Sequence, residues 1–92
     1  MPQEALRMGL VSRVVPRDKL MSTCKEIAEI IISRGPVGVR ASKEAMIRGY
    51  DLKLDEGLAL ERELSSAVRK TEDFVEGARA FMQKRPPQYK GK

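Results

Sequence analysis

The residue types best suited to chemistry in this chain are its carboxylates, and they come in clusters. These are Asp55/Glu56, Glu61/Glu63 and Glu72/Asp73/Glu76. Paired carboxylates can act as general acid and base when a pocket holds them at different protonation states. Here the spacing favours a plainer role. Asp55, Glu56, Glu72 and Asp73 fall in first helical turns, where a negative charge meets the positive end of the helix dipole. Glu61 and Glu63 lie about 200° apart around a helix, so they cannot converge on one substrate. No histidine is present, which removes the commonest general base and every Ser-His or Cys-His pair. The lone cysteine, Cys24, excludes an internal disulfide and a cysteine-rich metal cluster. It lies on the apolar side of a helical pattern and reads as a small buried hydrophobe. Neither a nucleophile–base pair nor a metal-ligand spacing nor a glycine-rich phosphate loop appears.

The second group with chemical character is cationic. Residues 1–83 carry fourteen Lys/Arg against thirteen Asp/Glu, whereas residues 84–92 add Lys84, Arg85, Lys90 and Lys92 and no acid. The net charge of +5 is therefore a property of the end of the chain. With Tyr89 these cations could hold a phosphorylated aromatic group, Arg as a planar fork and Lys as a point charge. The competing reading is that Lys84 and Arg85 simply complement the C-terminal end of a helix dipole. Four charges without a regular stripe do not make a nucleic-acid surface, and no nucleic-acid partner is expected.

The elements that would position these residues are helical. Met1 to Met8 reads as a helix that has lost its beginning, stopped by Gly9 in the position after the C-cap. Residues 10–15, Leu-Val-Ser-Arg-Val-Val, read as one short strand ended by Pro16. A single strand has no partner for its backbone groups within the chain, so its partner lies elsewhere or the segment is extended and wet. Over residues 17–34, Leu20, Met21, Cys24, Ile27, Ala28, Ile31 and Ile32 recur at helical spacing. Gly35-Pro36 ends that helix and begins the next, over 37–49, where Glu44 and Arg48 form an i,i+4 pair. A third helix covers roughly 54–70. Thr71 is the N-cap of a fourth, whose residues Phe74, Gly77, Ala78, Phe81 and Met82 share one face. Pro86-Pro87 ends regular structure. The expected fold is all-α: about four helices after one short N-terminal strand segment, divided as residues 1–16, a helical domain over 17–85 and a basic tail over 86–92.

Ninety-two residues with 41% hydrophobic content but only four aromatic side chains leave a thin core. Such a piece expects neighbouring surface. No run reaches the ~18 apolar residues of a membrane span, and no signal-peptide pattern opens the chain. The reading is a cytoplasmic protein without a membrane partner, or one of the mitochondrial or peroxisomal matrix if eukaryotic.

Taken in order, these segments resemble the C-terminal region of the enoyl-CoA hydratase/isomerase (crotonase) family. Ala5 to Pro16 is similar to that family's "EAL-x-x-GLV-x-x-VVP" passage, and Gly35-Pro36-Val37 with Ala41-Ser42-Lys43 to its next helix start. Glu56-Gly57-Leu58-Ala59-Leu60-Glu61 resembles its "GLALE" helix. Thr71-Glu72-Asp73, Glu76-Gly77, Ala80-Phe81 and Lys84-Arg85-Pro86 resemble its closing signature. The resemblance covers essentially the whole chain. It implies a parent enzyme that acts on acyl-CoA thioesters without a prosthetic group, most commonly hydrating a 2-enoyl-CoA. In such a parent an oxyanion hole stabilises an enolate-like oxygen while carboxylates move protons. The resemblance places that machinery before residue 1, so the 92 residues are expected to be inactive by themselves. It gives the C-terminal helices the work of subunit assembly, as trimers or hexamers, and of covering the active site. It assigns Lys84 to the adenine or 3′-phosphate region of CoA, gives Phe81 a packing role, and puts Ser65 where some relatives carry an aromatic residue. A free-standing helical interaction module is the alternative reading.

Overall fold

The computed structural model describes residues 1–92 and contains five α-helices and no strand. They are α1 (Pro2–Arg7), α2 (Leu20–Ile32), α3 (Pro36–Tyr50), α4 (Leu54–Arg69) and α5 (Glu72–Met82), with a single 3-10 turn at Arg17–Lys19 before α2. The chain divides into two compact units, residues 1–30 and 31–92.

In the first unit, α1 ends where Gly9 adopts φ +77°. The Gly9 amide donates to the Leu6 carbonyl at 3.1 Å and the Leu10 amide to the Ala5 carbonyl at 2.9 Å. This is the two-bond Schellman termination, with glycine in its left-handed position. The strand expected at residues 10–15 is absent, which corrects the fold to five helices with no strand segment. The composition of Leu10–Val15 favours a strand, but β-structure needs a ladder, and no second segment of the unit pairs with it. Pro16 then leads into the 3-10 turn, where Lys19 N–H donates to its carbonyl at 2.9 Å. Cys24, expected to be buried, is exposed, because the apolar side of α2 is itself uncovered. Leu20, Met21 and Ile27 are more than a third exposed along it.

The second unit is built on the α3–α4 hairpin, the most extensively packed helix pair of the chain. Pro36 occupies the first turn of α3, where a missing N–H is harmless, and Glu44 pairs with Arg48 at 2.6 Å. A tight turn, with the Leu52 amide donating to the Gly49 carbonyl at 3.2 Å, reverses the chain. Beyond it Gly57 brings α4 close: a Cβ there would lie 3.8 Å from the Gly49 carbonyl oxygen. Glu56 accepts a hydrogen bond from the Lys53 amide at 3.3 Å, half of a capping box. Leu60 of α4 is buried by this packing.

Thr71 joins α4 to α5 with both of its polar ends used. Its hydroxyl donates to the Val68 carbonyl at 2.6 Å and accepts from the Phe74 amide at 3.3 Å, so one group closes α4 and caps α5. The face of α5 turned toward the rest of the unit is not the apolar one. Asp73 and Ala80 are buried and Glu76 and Gly77 half-buried, a row at spacings 0, 3, 4 and 7. Phe74, Phe81 and Met82 are exposed at 48%, 85% and 76%.

Candidate functional site

The cations of residues 84–92, expected to form a group, are drawn apart by the structure into different roles. Lys84 follows the last turn of α5 and has φ +52°, in the left-handed region. Its amide donates to the Phe81 carbonyl at 3.2 Å and the Arg85 amide to the Ala80 carbonyl at 3.1 Å. The turn is thus a second Schellman motif, with lysine in the place glycine usually takes. The Lys84 ammonium forms no ion pair within the chain.

Arg85 is committed to Glu76. Its Nη1 and Nη2 donate to Glu76 Oε1 and Oε2 at 2.6 and 3.2 Å, the planar fork-on-carboxylate geometry that is the stronger class of ion pair. Gln88 N–H adds a bond to Glu76 Oε1 at 3.1 Å. The Arg85 hydrogen bonds and then that of the Gln88 amide hold Glu76 down from an ordinary 4.5 to about 2. The same contact raises Arg85 above its usual value.

Asp73 does the corresponding work one turn earlier. Its Oδ1 accepts from the Lys90 amide and its Oδ2 from the Gly91 amide, each at 2.7 Å. In return the Asp73 amide, one of the unpaired N–H groups of the first turn of α5, donates to the Lys92 carbonyl at 2.8 Å. Buried carboxylate oxygens need such donors. Gly91 adopts φ +80° and lies beside Pro36, whose Cγ would be 3.7 Å from a Cβ at position 91.

Tyr89, the aromatic member of the expected anion-binding group, packs inward. A Cβ on Gly35 would sit 3.6 Å from its Cε1, and one on Gly77 3.1 Å from its hydroxyl oxygen. Its ring thus lies over two helix-end and helix-face glycines and closes one side of a cavity of about 300 Å³ lined also by Val37, Val68, Phe74 and Ala78. Residues 85–92 form a strap across the starts of α3 and α5. This segment includes the basic tail read over residues 86–92. The carboxylates at 73 and 76, expected to be solvated or to serve the helix dipole, hold it in place.

A separate groove of about 480 Å³ runs between α3 and α4, lined by Gly38, Ala41, Ala45, Met46, Glu61 and Ser65 among others. Ser65 is therefore a wall of an open groove. Glu61 reaches the same groove, while Glu63 is exposed elsewhere on α4, consistent with their divergence around the helix. No three His, Cys, Asp or Glu side chains are placed to hold a metal ion. No helix is long and apolar enough to cross a membrane.

Comparison with known proteins defines the class. The enoyl-CoA hydratase/isomerase family model matches residues 1–92, and the chain belongs to that family. It is 46% identical over 82 residues to the short-chain-enoyl-CoA hydratase of Clostridium acetobutylicum, a match that covers 89% of this chain and 31% of the relative. It is 38% identical over 90 residues to the 2,3-dehydroadipyl-CoA hydratase of Escherichia coli, covering 98% of this chain and 35% of that protein. The crystal structure of the enoyl-CoA hydratase from Bacillus anthracis superposes with a TM-score of 0.95 at 46% identity, over 98% of this chain and 35% of that one. The chain spans about a third of the length of these relatives.

Proposed function

We propose that these 92 residues serve as the C-terminal helical part of an enzyme that acts on acyl-CoA thioesters, hydrating a 2-enoyl-CoA. In this reading residues 1–16 lead in from the catalytic part, residues 17–85 form the helical domain and residues 86–92 close on it. The helices assemble subunits, as trimers or hexamers, and cover the active site. The chemistry belongs to the rest of the enzyme, and the 92 residues alone do not catalyse it.

One observation carries the reading. Among the apolar residues only Leu60 and Ala80 are buried, while Ile31, Ile47, Phe81 and Met82 are between half and nearly fully exposed. Fully covering a side chain of this size is worth about 1.5–3 kcal/mol, so such faces favour contact with further protein surface. The relatives are named as hydratases of CoA thioesters, which supports the substrate class. Lys84 supports a CoA contact through its own geometry. A left-handed conformation costs a non-glycine residue about 1–2 kcal/mol; Lys84 adopts it, is exposed and forms no ion pair within the chain. That cation suits the phosphates of CoA.

The test is hydration of crotonyl-CoA by the purified chain, followed through loss of the enoyl-thioester absorbance. The expected rate equals that of buffer. Hydration above it would put catalytic groups within these residues and overturn the assignment.

A further inference from the structure

We propose that residues 85–92 are a lid that opens as one unit on the α5 platform, closing the cavity behind Tyr89 when Asp73 and Glu76 grip it. The grip is concentrated on very few groups. Of the polar contacts between strap and helix, the Gln88, Lys90 and Gly91 amides and the Arg85 guanidinium all end on the two carboxylates. The Asp73 amide donates to the Lys92 carbonyl, and at the hinge the Arg85 amide donates to the Ala80 carbonyl. Pro86 and Pro87 have no N–H to offer, so nothing between Arg85 and Gln88 donates to the helix. The strap makes no ladder and no helix of its own, so releasing the carboxylates leaves no cooperative structure to hold it.

The hinge and the covered space fit the same device. The strap begins immediately after Lys84, a non-glycine residue in the left-handed region, and a segment joined through such a turn loses little when the turn relaxes. Beneath it, the apolar side chains of Val37, Val68, Phe74 and Ala78 line the cavity of about 300 Å³ that Tyr89 closes. The ring lies close to the bare backbones of Gly35 and Gly77. Local opening of this kind is the ordinary behaviour of segments with few buried apolar contacts.

NMR-detected hydrogen exchange on the whole chain tests the proposal. The Gln88, Lys90 and Gly91 amides are expected to exchange together, through an opening at least tenfold more frequent than that of the mid-helix amides of α4 and α5. Asp73→Asn, which replaces one of the two accepting oxygens with a donor, is expected to speed the Lys90 and Gly91 amides by on the order of tenfold, with α3 and α4 unchanged. Glu76→Gln is expected to do the same for Gln88, and it stands in if the Asp73 variant fails to fold. Exchange of the strap amides at the same rate as the middle of α5 in the unmodified chain would show that strap and helix open only together, and would overturn the lid.

Discussion

Lys84 and Gly9 occupy the same position of the same turn. Each follows the C-cap of a helix, each has positive φ, at +52° and +77°, and each turn is closed by the same pair of backbone hydrogen bonds. Glycine adopts this conformation freely, whereas lysine does so against a steric penalty. Lys84→Gly is therefore expected to stabilise the second unit by about 0.5–1 kcal/mol, the relieved strain being partly offset by glycine's greater freedom in the unfolded chain. Thermal melts of the two proteins check this. A fall in melting temperature would mean that the stem of Lys84 packs usefully and that strain is not the governing term.

The ion pair between Glu76 and Arg85 makes the strap acid-sensitive. Glu76 is held at about 2 against an ordinary 4.5, so its contribution is fully present above about pH 4.5 and is lost as the pH falls toward 2. The charge of Arg79 on α5 also lowers that value, alongside that of Arg85 on the strap. The Gln88 amide proton shift is expected to move over that window in the unmodified chain and to be flat in Glu76→Gln. A Gln88 shift that titrates equally in both proteins would contradict the assignment.

Gly77 is a point where two effects oppose. Alanine in mid-helix is favoured over glycine by about 0.8–1.0 kcal/mol, but its Cβ would meet the Tyr89 hydroxyl oxygen at 3.1 Å. The helix is expected to gain and the strap to be displaced. Gly77→Ala should keep or raise α5 helicity by circular dichroism while the Lys90 and Gly91 amides exchange faster. Adding Tyr89→Phe, which removes the crowded oxygen, should restore the slower exchange.

The exposed face of α5 separates assembly from folding. Phe81 is 85% exposed, so Phe81→Ser is expected to change the stability of the single chain by less than about 0.5 kcal/mol, as for surface positions generally. It should weaken association between chains. Denaturation and light scattering on the same variant check both halves. A large loss of stability would show that Phe81 packs within the chain.

The helices are legible in the sequence because their ends carry local chemistry. Gly35-Pro36 and Thr71 each act through a backbone rule that needs no tertiary knowledge, and α3 and α5 begin within a residue or so of those signals. Which face packs is not legible. Helical spacing marks Phe74, Phe81 and Met82 as the apolar side of α5, but an apolar stripe does not say whether the surface that covers it lies in the same chain. The roles of Asp73 and Glu76 are hidden for a related reason. Their partners include backbone amides twelve to eighteen residues away, and amides have no sequence signature. Gly77 and Gly35 are the readable trace, since both leave room for Tyr89. The strand at 10–15 fails on the same ground, because β-propensity describes the segment and not its missing partner.

If the uncovered apolar faces are assembly surfaces, the mass of the protein in solution depends on its concentration. Light scattering across protein concentration tests it most directly. The mass is expected to rise above 10.3 kDa toward multiples of the chain, trimers foremost. A mass that stays at the single-chain value at every concentration would contradict it, and would favour a free-standing helical module.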